Sequence, residues 1–444
     1  MTIKMIKRIF TLAALLLCLS VATKAGGLMT NTNYHIAFDR MFARGASTEI
    51  DAAYSNPAGL AWGYDGFQMS IDFQKPWQNR DIETPSAKYN GKASAPIVPA
   101  LFASYKKDRW ALSSMIGIVG SGGFVKYDNG VPMFNEKLAG LLSANGIAPG
   151  QYTLDSKMKG KQYIYGGQLN FTYRITDFLS AAVGVRANYY DGYYQGHVIA
   201  DQHPMFGSLA SLELDVDQRA WGFAPIVSLD FHQGPITVAA RYEFRTKINT
   251  ENSTNKLDAS IGTNLMAYLA ANSPAVLQTI ASTLGNETTP YEDGAMTRYD
   301  MPALLAIAAG YEISPKMRAA LEYHFFDDKN AKMAGNRQND LTGGTHEILA
   351  GIEYDINDKF TVSCGGQRTD YGLSDEYQKD TSFACDSYSV GLGGAWNIND
   401  KMRLNVSYFC TIYSDYTKQP TTTSPQEIYS RTNNVIGVGV DYKF

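Results

Sequence analysis

Histidine is the side chain that most often serves acid–base and nucleophilic catalysis, and this chain of 444 residues has six histidines. They are His35, His197, His203, His232, His324 and His346. A serine hydrolase needs a nucleophile motif such as GxSxG, and none of the six lies in a recognisable one. His324 stands between Tyr323 and Phe325, an alternation that is typical of a strand residue facing a polar interior. We therefore expect that the protein is not an enzyme.

The cysteines predict neither a metal site nor a disulfide framework. Beyond residue 25 the chain keeps Cys364, Cys385 and Cys410, so at most one disulfide can form, and which two would pair stays open. No CxxC pair or adjacent histidine accompanies them, so we expect no metal and no cofactor.

Two long segments between strands, 121–160 and 249–295, carry apolar residues at helical spacing. The stripes contain Phe134, Leu138, Leu141 and Leu142 in the first segment, and Leu265 and Leu269 in the second. Such partly helical loops either form a groove that collects an apolar ligand or bury their stripes against each other. The sequence leaves both possibilities open.

Glycines crowd the end of the third predicted strand, at Gly117, Gly120, Gly122 and Gly123. Clustered glycines in a strand mark a bulge or a kink. The stretch from Gly120 to Gly123 is therefore either an irregularity in a sheet wall or the start of a loop.

Short turns and long loops alternate along the chain, which is typical of a transmembrane β-barrel. At the C-terminus Ile436, Val438 and Val440 alternate with Gly437 and Gly439, so one strand face is apolar and the other is small and polar. The pattern predicts fourteen antiparallel strands within residues 66–444. They are 66–76, 97–107, 109–120, 161–174, 178–191, 219–231, 235–248, 296–311, 316–327, 345–356, 359–370, 385–397, 401–413 and 433–444. An even number and a long first link place both termini on the short-turn, periplasmic side of the outer membrane.

The segment before the barrel has two parts. Residues 1–25 have basic residues, an apolar run and a small-residue site, which predict a signal peptide. Residues 26–65 are too irregular for a strand pair, and we expect them to plug the lumen as a hatch, with packing on the periplasmic rim as the alternative. The formal net charge of −4 argues against nucleic acid as a partner.

The segment from Gly45 to Ala61, with Asn56-Pro57-Ala58 in it, precedes a fourteen-strand pattern and a C-terminal Phe444. In these features the chain resembles the FadL/TodX family of outer-membrane transporters for long-chain fatty acids and other hydrophobic compounds. The resemblance implies that Asn56, Pro57 and Ala58 belong to a hatch gate and that the long outer loops capture substrate. It also implies that a kink at Gly120, Gly122 and Gly123 opens the barrel wall, and that the barrel assembly machinery recognises Phe444.

The function expected is passive transport of a hydrophobic molecule, in particular a long-chain fatty acid, with lateral release into outer-membrane lipid. The sequence does not say which hydrophobic substrate is carried, or whether the barrel oligomerises. A general diffusion porin is the main alternative, and an adhesin or a structural barrel is a further one. Charged residues on inward-facing positions suit a porin: Arg186, Arg241, Glu243, Arg318, Glu322, Glu353 and Arg403.

Overall fold

A computed structural model describes residues 34–95, 97–144, 146–278, 281–282, 289–419, 421 and 425–444. The signal peptide predicted at residues 1–25 lies outside these residues, as does the start of the 26–65 segment. Fourteen antiparallel strands follow one another around the sheet, and the last strand pairs with the first. The predicted fold class, an antiparallel barrel of fourteen strands, is confirmed.

Ten strands are continuous and four consist of two parts. They are β1 Gly66–Glu83, β2 Lys88–Ser94 and Val98–Lys107, β3 Trp110–Tyr127, β4 Thr153–Arg174, β5 Leu179–Asp201, β6 Ala210–Gln233, β7 Ile236–Glu243 and Asn249–Ile261, β8 Met296–Arg298 and Leu304–Ser314, β9 Met317–Phe326, β10 Thr345–Asp355, β11 Phe360–Asp370, β12 Ser387–Asn397, β13 Met402–Tyr413 and Tyr416–Lys418, and β14 Glu427–Lys443.

The helices lie before the barrel and in its long loops. They are α1 Ile36–Met41, α2 Ala52–Ser55, α3 Pro132–Ala144 and α4 Thr263–Asn272, with 3-10 helices at Pro57–Trp62, Thr289–Tyr291, Asp328–Asn330 and Ala334–Asp340. A further helical stretch covers residues 274–278. Among the described residues, no helix has both the length and the hydropathy that crossing a bilayer would require.

Side chains alternate between an apolar outer face and a polar inner face, as the sequence pattern predicts. On β14, the outward Ile436 and Val438 are 54% and 43% exposed, whereas the inward Asn433 and Val435 are buried. Exposed apolar side chains recur at outward positions around the barrel, which is what a surface in contact with lipid requires.

The short turns and the C-terminus share one end of the barrel. The backbone N–H of Phe444 donates to the carbonyl of Phe67 at 3.0 Å, next to the start of β1. At the same end Asp108 and Gly234 take positive φ angles of 54° and 57° in the turns after β2 and β6. The barrel therefore has a short-turn end and a long-loop end.

Several strands extend further toward the long-loop end than predicted. The start of β4 is Thr153 instead of residue 161, and β5 continues to Asp201 instead of residue 191. In the extension of β4 the exposed Lys157 lies next to the buried Met158. Because the outward side chains there are polar, the apolar face on which the strand prediction depended is missing.

Candidate functional site

Helix α1 lies against a surface of inward glycines on β10, β11, β12 and β14. These are Gly351, Gly365, Gly391, Gly437 and Gly439. A Cβ atom at Gly365 would stand 2.0 Å from the carbonyl oxygen of Met41, and one at Gly391 would stand 2.1 Å from that of Asp39. Only glycine allows the helix backbone to approach so closely. From the sequence, the inward glycines indicated no more than a small polar face, so their contact with α1 was missed.

Buried charges join the N-terminal segment, residues 34–65, to one wall of the barrel. The Arg40 guanidinium forms an ion pair with Glu353 in which both side chains have zero exposure. Glu353 also accepts from Arg318 at 2.5 Å. Arg403 donates to Glu49 of the segment at 2.7 Å. From the sequence, these inward charges were compatible with a water-filled pore. In the structure they pair with the N-terminal segment and with one another.

On other walls, inward charges hold the backbone of the same segment. Glu322 accepts the backbone N–H groups of Arg44 and Gly45, each at 2.8 Å. Arg241 donates to the carbonyl of Tyr54, and its guanidinium lies 5.1 Å from the centroid of the Tyr54 ring. Arg186 forms an ion pair with Glu243 at 2.6 Å, and its guanidinium lies 5.0 Å from the same tyrosine ring. Cation–π contacts of this kind strengthen when they are removed from water.

Asn56, Pro57 and Ala58 are buried against β4, β5 and β6 near the short-turn end. Asn56 Nδ2 donates to Asp230 Oδ2 at 3.2 Å, and the Ala58 backbone N–H donates to Ser228 Oγ at 3.1 Å. The wall also donates to the carbonyls of Pro57 and Ala58, from Thr172 and Ser180 at 2.8 Å each.

The segment therefore touches walls on opposite sides of the lumen. Among the described residues, the Oδ1 atom of Asn56 has no hydrogen-bond partner although it is buried.

The sheet is interrupted between β2 and β3. The two strands pair from Trp110 to Gly117 of β3 and again from Val125 to Tyr127, and no described residue of β2 pairs with residues 118–124. On its other edge β3 stays paired with β4, but its register shifts twice, between Ile118 and Gly120 and between Ser121 and Gly123. The predicted glycine cluster thus lies in an irregular wall strand and not at the start of a loop.

Apolar side chains fill this interruption. Ala95, Val98 and Ile118 form a buried cluster, against which Tyr34 and Tyr163 pack. Pro99 lies at the edge of the break and has no N–H to donate to a sheet. Because Tyr34 belongs to the N-terminal segment, that segment and the break in the wall are in direct contact.

Apolar residues of α3 and α4 belong to one buried cluster at the long-loop end. Leu142 of α3 is 5% exposed, and Leu265 and Leu269 of α4 are each 7% exposed, within one cluster against which Leu138 also packs. The same cluster also contains Ala200, Leu209 and Ile261. Leu141 lies in α3, but the structure does not describe its side chain.

Phe134 departs from the predicted stripe and joins a second cluster, with Tyr127, Phe383 and Tyr429. The loop after β11 holds the start of α3 nearby, because Asp380 Oδ2 accepts the Met133 backbone N–H at 2.6 Å. Burial, with the added repulsion of Glu427, raises the pKa of Asp380 to about 6.

The described cysteines Cys364, Cys385 and Cys410 are free thiols. Within the described part of the chain, no group of three or more histidine, cysteine or carboxylate side chains is placed to hold a metal ion.

Known proteins share this architecture. Residues 265–444 match the family model described as outer membrane protein beta-barrel domain. A FadL homologue from Pseudomonas aeruginosa superposes with a TM-score of 0.67 at 13% identity, covering 95% of this chain and 100% of its own. The Pseudomonas putida toluene transporter TodX gives a TM-score of 0.57 at 13% identity, covering 96% of this chain and 98% of its own.

The Ralstonia pickettii toluene transporter TbuX gives a TM-score of 0.54 at 14% identity, covering 89% of this chain and 94% of its own. No curated protein matches the sequence. The chain is therefore an outer-membrane β-barrel protein with the fold of the FadL homologue and of the TodX and TbuX transporters.

Proposed function

We propose that this protein carries apolar small molecules across the outer membrane. The observation that supports this most directly is the break between β2 and β3, which is filled by apolar side chains. Proteins of the same fold are described as toluene transporters and as a FadL homologue. A break in a lipid-facing wall offers an apolar molecule an exit that avoids the charged lumen.

In its finer form, the proposal is passive transport of a long-chain fatty acid through a hatch-gated lateral opening. The N-terminal segment acts as the hatch, and the contacts of Asn56, Pro57 and Ala58 set its closed position. Substrate enters from the long-loop end, where α3 and α4 first separate, and leaves between β2 and β3 when Tyr34 moves away from the break. No step requires an energy source.

The porin alternative requires a water-filled lumen. It is disfavoured because residues 35–45 and 50–61 are mostly buried against the wall. Inward charges that would suit a water-filled pore are also paired, as Arg40 is with Glu353 and Arg186 with Glu243. An open channel for polar solutes has its inward charges in contact with water, as in porins.

Uptake by cells that lack their own hydrophobic-compound transporter tests the proposal. Labelled long-chain fatty acid, toluene and a small sugar are each supplied with and without this protein. Faster entry of an apolar compound with unchanged sugar entry is expected. Faster sugar entry alone would establish the porin alternative, and no change in any of the three would remove the transport proposal.

The exit is tested by Ala95→Trp, which fills the break with a large side chain. Uptake of the apolar compound should fall by roughly tenfold or more, because the indole side chain would occupy the space through which the compound leaves. Gly167→Trp is the matched control, since Gly167 lies on the neighbouring β4, has open space around its Cβ position and is paired on both edges. Equal uptake by both variants would exclude exit at this place.

A further inference from the structure

Three lysines form one cross-strand row on the outer face of the barrel, toward the long-loop end. Lys92 of β2 is the direct partner of Lys126 of β3, and Lys126 is in turn the direct partner of Lys159 of β4. Lys92 and Lys126 are exposed, and Lys159 is half-buried. The outward face of β4 carries Lys157 and Lys161 on either side of Lys159. Three adjacent strands therefore present a surface of lysines, which we call the lysine surface.

These lysines are poorly neutralised by the protein itself. Like charges on directly opposed strand residues destabilise a sheet. Lys126 pairs with Asp128 at 2.6 Å, and Lys161 pairs with Asp191 at 2.5 Å. In the part of the chain that the structure describes, the other members of the lysine surface have no carboxylate oxygen within the 4.0 Å ion-pair distance. Their charge is available to an anion from outside the chain.

Aromatic side chains on the same outward faces mark the limits of the lipid-facing band. On β1 the outward Phe67 and Trp77, each 40% exposed, lie about 33 Å apart along the strand at ~3.3 Å per residue. On β4 the same length of strand separates Tyr173 from Tyr163. At a strand tilt of ~40° this length is about 25 Å across the bilayer, the height of an apolar band between two aromatic girdles. Trp77 and Tyr163 therefore mark the boundary on the long-loop side.

The row of lysines lies just beyond this boundary. Asn79, the cross-strand partner of Lys92, is the next outward residue after Trp77 on β1. On β4, Lys159 is the second outward residue after Tyr163. These offsets place the row about 5–10 Å outside the aromatic girdle, at the level of the lipid headgroups. The flexible lysine stems allow the ammonium groups to extend toward the membrane from there.

The walls next to the lysine surface do not continue it. On β5, Gln195 is the cross-strand partner of Lys159, and its amide donates to Asp215 of β6 at 2.9 Å. The outward face of β6 carries Glu213, Asp215 and Asp217. Positive charge is thus concentrated on β2, β3 and β4 and is not a general property of the outer face above the lipid.

We propose that the lysine surface binds the phosphate groups of the phosphorylated glycolipid of the outer leaflet, lipid A. The partner follows from charge complementarity and from position, because the surface faces outward at headgroup level in an outer-membrane barrel. Lysine is suited to phosphate as a compact point charge, and basic residues at a membrane surface are attracted to anionic lipid. The bound lipid is a partner of the wall and not a transported substrate, so this inference is independent of the proposed transport.

Binding of phosphorylated lipid A, and of the same lipid without its phosphates, to purified protein in a neutral detergent tests the lysine surface by native mass spectrometry. One variant combines Lys92→Gln, Lys126→Gln and Lys159→Gln. The matched control removes the same charge from exposed lysines of the short-turn end, by Lys107→Gln, Lys359→Gln and Lys401→Gln. Each basic residue near an anionic membrane surface contributes roughly fivefold to affinity, so we expect the first variant to bind phosphorylated lipid A about 100-fold more weakly.

The control variant should bind phosphorylated lipid A as the wild type does, and the lipid without phosphates should bind all three proteins alike. A variant with arginine at the same positions, Lys92→Arg, Lys126→Arg and Lys159→Arg, should keep its affinity because the charge is retained. Without lipid, the glutamine variant should be at least as stable as the wild type, because the repulsion is gone. Phosphorylated lipid A should raise the Tm of the wild type and leave that of the glutamine variant nearly unchanged.

Equal affinity of the wild type and the glutamine variant for phosphorylated lipid A would overturn the proposal. An equal loss of affinity in the control variant would also overturn it, because net charge and not this surface would then govern binding. If the glutamine variant instead loses a dimer that the wild type forms, with lipid affinity unchanged, the lysine surface contacts the acidic outer face of β6 in a second copy, and the lipid proposal is refuted.

Discussion

Replacing Gly365 by alanine is expected to displace helix α1 from the inner wall. The new Cβ would lie 2.0 Å from the carbonyl oxygen of Met41, whereas side-chain carbons essentially never come within 3.0 Å of such an atom. The helix must therefore move away from β11 by at least 1.0 Å (3.0 − 2.0). Because the obstructing atom belongs to the backbone, no rotamer change relieves the contact.

The displacement weakens the contacts of Arg40 with the same wall. Arg40 Nη1 donates to Ser363 Oγ of β11 at 2.7 Å, and a 1.0 Å shift away from that strand takes the pair beyond hydrogen-bond range. The ion pair between Arg40 and Glu353 of β10 lengthens with it. A weakened set of buried hydrogen bonds to charged groups costs about 3 kcal/mol. The ratio of barrels whose N-terminal segment is bound to the inner wall to barrels whose segment is displaced therefore falls by about 100-fold.

Single-channel recording in planar bilayers measures this ratio as the frequency of conducting events. Gly365→Ala should raise that frequency by about two orders of magnitude. The matched control is Gly366→Ala, the adjacent residue on the outer face, where a Cβ would lie 3.4 Å from the Ser389 carbonyl oxygen. If both variants form folded barrels and conduct alike, the seating of α1 on the glycines does not close the lumen, and the reasoning is refuted.

Two further predictions concern the long-loop end. Leu265→Asp places a charge in the apolar cluster that Leu265 of α4 shares with Leu142 of α3, and should destabilise it by about 2–5 kcal/mol. Chymotrypsin should therefore cleave these loops faster. Met266→Asp, at a side chain 43% exposed, should not have this effect, and equal cleavage of the two variants would contradict the packing described. The raised pKa of Asp380 means that its contribution to stability is present at low pH and is lost as pH rises through about 6. The free energy of unfolding should therefore be higher at pH 5 than at pH 7.5, and Asp380→Asn should reduce that difference; a difference of unchanged size in this variant would assign it to another group.

The sequence predicts the barrel well wherever lipid contact imposes an alternating pattern. The strand containing Ile436 and Val438 is recognisable because one face must be apolar and the other must not. The same rule fails above the lipid, where Lys157 and Met158 alternate without an apolar outer face, and the strand extension there was missed. Backbone pairing continues the sheet through that region.

The site residues also divide into those that a local sequence pattern predicts and those that it misses. The cluster Gly120 to Gly123 marks an irregular strand from composition alone, because glycine in a strand indicates a bulge or a kink. The break in pairing between β2 and β3, beside Ala95 and Val98, is not visible in composition. It depends on which strand lies next to β3 and in what register. No local pattern carries that information.

By itself, the sequence determined the number of strands, their faces and the end at which the short turns lie, because these follow from local period and turn residues. Only the tertiary structure decided that Gly365 and Gly391 contact one helix and that Phe134 separates from Leu142. Those facts depend on the register around a closed sheet, which joins residues as far apart as β1 and β14. A one-residue slip in that register would turn every inward side chain outward.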